Sequence, residues 1–239
     1  MLQTAFRDTY PPQTGLYAIK IKSGDDWKAH DACRLHISVG QQYHEGAKFQ
    51  ATTDWARNRF KTVIVCVNDA LQLGNMMFER GIDRSEAYVR SIKAGDEWIE
   101  RNASALQGVE VRRWESWKTW PDFFKAMEGV VATYEQNKDF AGAIDRTASN
   151  FWERRERLNL AYTPDKKGEF LRLSRDYLLE EVAVICRMID QKRAIDIYPG
   201  TMLPVFDIMK GNPLPYAPAS LSQRDFARID FAKRTPANA

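Results

Sequence analysis

Six consecutive residues, Thr62-Val63-Ile64-Val65-Cys66-Val67, are apolar or β-branched without a break. A strand with one wet face alternates, so an unbroken run marks a strand covered on both faces, as in a parallel sheet between helices. Cys33 to Ser38 reads as a second such strand. Tyr17 to Ile21, Val109 to Trp114 and Ile195 to Tyr198 read as further strands, the last stopped by Pro199-Gly200. Helical patterns lie between them: 50–60, from a Ser85 cap to about Ala105, onward from Pro121-Asp122, Lys138 to Leu158, and Glu169 to Ile189. Strands alternating with helices predict an α/β, Rossmann-like, three-layer domain with a mostly parallel central sheet. A chain of 239 residues suits a single domain over 1–239. Residues 1–30 read as an irregular lead-in, and 210–239, rich in Pro and polar groups, as a C-terminal segment over the surface.

Composition removes several classes of function. The net charge of +3 permits an anionic partner without requiring one. Cys33, Cys66 and Cys186 are odd in number and sit in apolar runs, which predicts reduced core thiols and a cytoplasmic protein. They lack metal-ligand spacing, so no metal is expected. The opening residues hold no apolar signal core, and no run approaches the length of a membrane span. There is no Gly-x-Gly-x-x-Gly, no phosphate-binding P-loop and no Gly-x-Ser-x-Gly elbow. No cofactor and no ATP chemistry are expected.

The chemistry-bearing residues are few. Ser38 falls at the carboxyl end of a strand, where open α/β sheets bind ligands. In the helix 169–189, Leu178, Val182, Ile185 and Ile189 form a core stripe, and Tyr177, Glu181, Val184 and Met188 the stripe beside it. Tyr177 and Glu181 are four apart and project from one face. A carboxylate bordering a core needs a partner. Two readings stay open: a salt bridge to Arg175, or a grip on a cation brought by a ligand. His30, His36 and His44 all lie near Ser38. His36 shares a strand face with Ser38 but stands beside it, whereas a triad base must aim at the hydroxyl. It reads as a residue that shapes a pocket.

The order of these motifs resembles the tRNA-dependent cyclodipeptide synthases. The resemblance rests on His36-Ile37-Ser38-Val39-Gly40-Gln41-Gln42-Tyr43, Trp55-Ala56-x-x-Arg59-Phe60, the strand through Val67, Asp176-Tyr177-Leu178-Leu179-Glu180-Glu181, and Tyr198-Pro199. It runs from about residue 33 to 206. One branch of that family has Asn after Ser-x-Gly and His after the late Tyr. Gln41 and Pro199 stand there instead, as in the Tyr-Pro branch. The resemblance implies a catalytic domain similar to that of class I aminoacyl-tRNA synthetases. Two aminoacyl-tRNAs would be joined into a cyclic dipeptide through an aminoacyl-Ser38 intermediate, without ATP. It implies catalytic roles for Ser38, Tyr177, Glu181 and Tyr198. Substrate contacts would come from His36, Gly40, Gln41, Val184 and Pro199, and from Val65 and Cys66, for which simple core packing stays open as the other reading. Aminoacyl-tRNA would meet Arg90, Lys93 and Arg101 on one helix, or the denser stretch with Arg154, Arg155 and Arg157. The assembly would be a monomer or a homodimer. The alternatives are a serine hydrolase pairing Ser38 with a nearby His, and a non-catalytic tRNA-binding relative.

Overall fold

The computed structural model describes residues 15–157, 162–191 and 193–234, and all structural statements concern these. The strands are β1 (Tyr17–Gly24), β2 (Ala32–Ile37), β3 (Thr62–Val67), β4 (Glu110–Arg113), β5 (Ile195–Tyr198) and β6 (Phe226–Lys233). The helices are α1 (Gly46–Arg57), α2 (Leu73–Arg80), α3 (Arg84–Arg101), α4 (Trp114–Lys118), α5 (Phe123–Gln136), α6 (Lys138–Glu156), α7 (Lys167–Gln191) and α8 (Pro204–Met209). One six-stranded sheet runs β1-β6-β5-β2-β3-β4. β1 is antiparallel to β6, and every other pair is parallel.

Period-two alternation divides the strands between two cores. Cys33, Leu35 and Ile37 of β2, with Val63, Val65 and Val67 of β3, pack on Phe49 and Trp55 of α1 and Trp98 of α3. Ile64 and Cys66 face the other way, into a core with Leu178, Val182 and Ile185 of α7. Both faces of the unbroken run are therefore covered, as an α/β three-layer arrangement requires. α7 is long because an apolar stripe persists along it, from Phe170 to Met188. Among the described residues no helix is long and apolar enough to cross a membrane.

Two expectations change. The C-terminal segment is not confined to the surface: β6 lies inside the sheet, between β1 and β5, with Phe226, Ala227 and Ile229 buried. Its short alternating pattern is obscured in the sequence by polar and Pro-rich flanks. The strand expected at Tyr17–Ile21 is present and runs on to Gly24, as the antiparallel edge beside β6. The cap of α3 is Asp83, whose carboxylate accepts from Glu86 N at 2.9 Å, not Ser85. The expected end of α6 near Leu158 lies outside the described residues.

Candidate active site

The alternation that builds the two cores also builds a site. His36 and Ser38 leave β2 on the α7 side, as do Asp196 and Tyr198 from β5, and Asn68 just past β3. α7 lies across this face and adds Tyr177 and Glu181. His36, Ser38, Tyr177, Glu181 and Tyr198 line one cavity of about 750 Å³ at the carboxyl ends of the strands.

The loop after β2 holds the serine in place. Gln41 N donates to Ser38 O at 3.2 Å, closing a turn with Gly40 at φ +89°. That backbone region suits glycine at the third position of a type II turn. Ser38 N donates to Nδ1 of the buried His44 at 2.9 Å. Burial lowers the His44 ring's pKa to about 3, so it stays neutral. Trp98 Nε1 in turn donates to His44 O at 2.9 Å. The Ser38 hydroxyl lies 3.2 Å from Tyr198 OH, which lies 2.9 Å from Tyr43 OH. Gly200 makes room for this chain: a Cβ there would collide with the Tyr198 ring.

Tyr177 and Glu181 face the same hydroxyls. Burial, then the charge of Glu181, then Tyr198 hold the Tyr177 phenol well above its ordinary range. Burial also raises Tyr198. Burial pushes the Glu181 carboxyl up to about 7, although the Arg224 cation pulls the other way. The salt-bridge reading of Glu181 is overturned, because Arg175 turns to Asp145 at 3.1 Å. The neighbouring Glu180 is fully engaged, by Trp114 Nε1 at 2.7 Å and Lys118 at 3.3 Å. Among the described residues nothing bonds Glu181, so a half-buried carboxylate meets the cavity without a cation on it.

Beneath this cavity lies a buried charge cluster. Asp196 accepts from Arg34 Nε at 2.6 Å and Arg224 Nε at 2.7 Å, and His36 Nε2 lies 3.0 Å away. Burial alone would raise the Asp196 carboxyl, but Arg34, Arg224 and His36 more than offset it and hold it well below its ordinary value. Replacing Asp196 with Asn is expected to cost about 3–5 kcal/mol, since two buried guanidiniums lose their counter-charge. Urea denaturation checks this, and a cost under about 1 kcal/mol would show that water or another group neutralises them.

The cluster bears on the hydrolase alternative, which lacked a carboxylate behind its histidine. Asp196 supplies one for His36. Yet Asp196 is already shared by two arginines, and neither His36 nor His44 has a hydrogen bond to Ser38 Oγ among the described residues.

Of the other predicted contacts, His36 lines the cavity. Val65 points to the opposite core, because it is out of phase with Cys66 along β3. Cys66 and Val184 lie on the cavity's side but are fully buried in the core beneath it. Gly40 and Gln41 are exposed in the turn, and half-buried Pro199 follows β5; none of the three walls the cavity. Arg90, Lys93, Arg101 and Arg155 pair with Glu86, Glu97, Glu45 and Glu79. Arg154 and Arg157 stand at the exposed side of the cavity, where Arg157 has Glu153 at 3.8 Å and Arg154 rests on Phe151. His44, which the sequence offered only as a base for the hydrolase reading, instead holds the Ser38 amide; sequence reasoning missed Tyr43, Asn68, Asp196 and Arg224. Tyr43 closes the quoted Ser38 segment, so proximity was a usable signal; for Arg224 there was none.

No protein-family model matches the chain, and no curated protein does. Solved structures do match. A CDPS (cyclodipeptide synthase) from Fluoribacter dumoffii is 25% identical, with a TM-score of 0.76 over 91% of this chain and 100% of that one. A cyclodipeptide synthase from Candidatus Glomeribacter gigasporarum, solved bound to Phe-tRNAPhe, is 22% identical, with a TM-score of 0.66 over 87% of this chain and 90% of that one. A Mycobacterium tuberculosis protein, 13% identical, has a TM-score of 0.61 over 85% of this chain and 86% of that one. Its structure is described as relating cyclodipeptide synthetases to type I tRNA synthetases. The chain has the fold of these enzymes.

Proposed function

We propose that this chain is a tRNA-dependent cyclodipeptide synthase of the Tyr-Pro branch, working by a ping-pong route through an aminoacyl-Ser38 ester. The observation that carries the reading is the meeting in one cavity on this fold of Ser38, Tyr198 and a Glu181 that has no bonded partner among the described residues. A serine nucleophile needs only an activated acyl donor. The ester of an aminoacyl-tRNA is one already, so no ATP is consumed and no cofactor takes part.

In the first step Ser38 Oγ attacks the ester carbonyl of one aminoacyl-tRNA. The bond to the terminal ribose breaks, and the serine proton ends on the ribose oxygen. Tyr198, between Ser38 and Tyr43, is the relay for that proton. Tyr177 and Glu181 hold the α-ammonium by charge-assisted hydrogen bonds. In the second step the second aminoacyl-tRNA loses an ammonium proton to Glu181, and its amine attacks the Ser38 ester. The new peptide bond forms, and Ser38 recovers its proton from the attacking nitrogen. Glu181 gives up its proton to water and takes one from the dipeptide's α-ammonium; the amine so freed attacks the remaining tRNA ester, its remaining proton passes to the ribose oxygen, and the diketopiperazine closes as the ribose hydroxyl leaves. His44 acts through the backbone, fixing Ser38 by its amide.

Incubation with a full set of charged tRNAs, followed by mass spectrometry of small products, tests this. Cyclic dipeptides are expected. Free amino acids without cyclic product would move the assignment to the hydrolase that the His36–Asp196 contact favours.

The tRNA body needs cations near the cavity mouth, and Arg154 and Arg157 supply them. Changing both to Ala is expected to raise KM for aminoacyl-tRNA about tenfold and lower the salt slope of binding by about 2. An unchanged slope would shift the contact to Arg90, Lys93 and Arg101.

A further inference from the structure

Arg224 is a cation set into the wall of the active cavity with most of its donors unused. It is nine-tenths buried and lines the cavity with Glu181 and Tyr198. Its Nε is committed to Asp196 at 2.7 Å. Its guanidinium carbon lies 3.9 Å from the centre of the Phe206 ring and 5.5 Å from that of Phe226. Those contacts fix the plane of the group. Among the described residues its two terminal nitrogens have no hydrogen-bond partner. A planar, always-charged fork held rigid at one nitrogen is an arrangement suited to binding a carboxylate through the other two.

The charge around it points the same way. Asp196 carries one negative charge and is shared by Arg34, Arg224 and His36, so it is not held by Arg224 alone. Glu181 is the other acid inside, and it is committed to an ammonium in the proposed reaction. At the exposed side, Glu153 faces Arg157, and Asp207 lies near the rim. Opposite, the buried amide of Asn68 opens on the same space with its Oδ1 unpartnered. The cavity therefore offers an anionic group for an ammonium, a cationic fork for an anion, and a polar wall between.

We infer that Arg224 selects an aminoacyl group with a carboxylate side chain, aspartyl or glutamyl, as one of the two substrates. This rests on the proposed synthase activity. In an aminoacyl ester the α-carboxyl is tied up in the bond to tRNA, so a free carboxylate has to come from the side chain. Such a group carries both an α-ammonium for Tyr177 and Glu181 and an anion for Arg224. An amide of the same shape, as in glutaminyl or asparaginyl esters, fills the space but offers the two terminal nitrogens one neutral acceptor in place of a carboxylate, leaving Arg224 only the Asp196 charge it already shares.

The test uses the unaltered protein first. Glu-tRNA and Gln-tRNA, each mixed with the remaining charged tRNAs, are compared by mass spectrometry of cyclic products and by intact mass of the aminoacylated enzyme. Acidic cyclic dipeptides are expected, with Glu used about tenfold faster than Gln or more. Arg224→Gln is expected to bring that ratio near one. Cyclic dipeptides that never contain Asp or Glu overturn the inference and leave the synthase reading intact. No cyclic dipeptide from any donor overturns both. An Arg224→Gln protein that slows Glu and Gln alike assigns Arg224 to the field around Glu181, or to a phosphate of the tRNA, and also overturns it. Should that variant not fold, the Glu-to-Gln ratio of the parent decides alone.

Discussion

Replacing Ser38 with Ala is expected to abolish the transfer of amino acid from tRNA to protein, with cyclic dipeptide formation falling by about 10³-fold or more. The reason is geometric. The hydroxyl is the group that the phenol of Tyr198 approaches, and the loop around it is fixed independently of that hydroxyl. The Ser38 backbone amide is held by His44, and the turn is closed by Gln41 on the Ser38 carbonyl. The Ser38→Ala protein keeps both backbone contacts, so the fold survives and the loss reports chemistry alone. Intact-mass spectrometry of the parent, mixed with charged tRNA and quenched in acid, is expected to show one aminoacyl adduct. The Ser38→Ala protein is expected to show none, while its thermal midpoint stays within a few degrees of the parent. An adduct that persists in the variant would move the nucleophile elsewhere and remove the basis of the two-step route.

The parts of this fold visible in the sequence are those where local pattern and burial coincide. Val63 to Val67 is apolar without interruption because both of its faces are covered, and Leu178, Val182 and Ile185 recur at helical spacing because one side of α7 is buried. The site was visible in part for the same reason: Ser38 ends a legible strand, and Tyr177 and Glu181 share a legible helix face. β6 was hidden because eight residues of alternation are set among polar and Pro-rich stretches, and its partner β1 lies at the far end of the chain. Arg224 was hidden with it. Its place beside Asp196 comes from parallel pairing of β5 with β6, a contact between distant segments that no local spacing encodes. Val65 and Cys66 each allowed a pocket or a core reading, and both lie in the core, on opposite faces of β3. In a strand buried on both sides, composition does not say which face looks at the ligand.

Glu181→Gln is expected to move stability and activity in opposite directions. The carboxyl has a folded pKa of about 7 against an ordinary 4.5, because burial penalises the charge more than Arg224 rewards it. A raised acid favours the fold in its protonated form. That contribution is complete below pH 4.5 and is lost as the pH rises through about 7. At about pH 8 the parent bears a cost on the order of 3 kcal/mol that the neutral amide does not. The Glu181→Gln protein is therefore expected to be more stable than the parent at that pH, with the margin shrinking to nothing below pH 4.5. Catalysis is expected to go the other way. Gln cannot accept the proton that the second ammonium must lose, and cyclic dipeptide formation should fall by about 10²–10⁴-fold. Urea titrations at the two pH values, set beside single-turnover measurements on pre-loaded enzyme, separate the effects. A carboxylate kept for structure gives one result: a variant less stable than the parent in mild alkali, with turnover reduced only in proportion to unfolding. A carboxylate kept unpaired to meet an incoming ammonium gives a variant that is firmer in mild alkali yet slow to turn over.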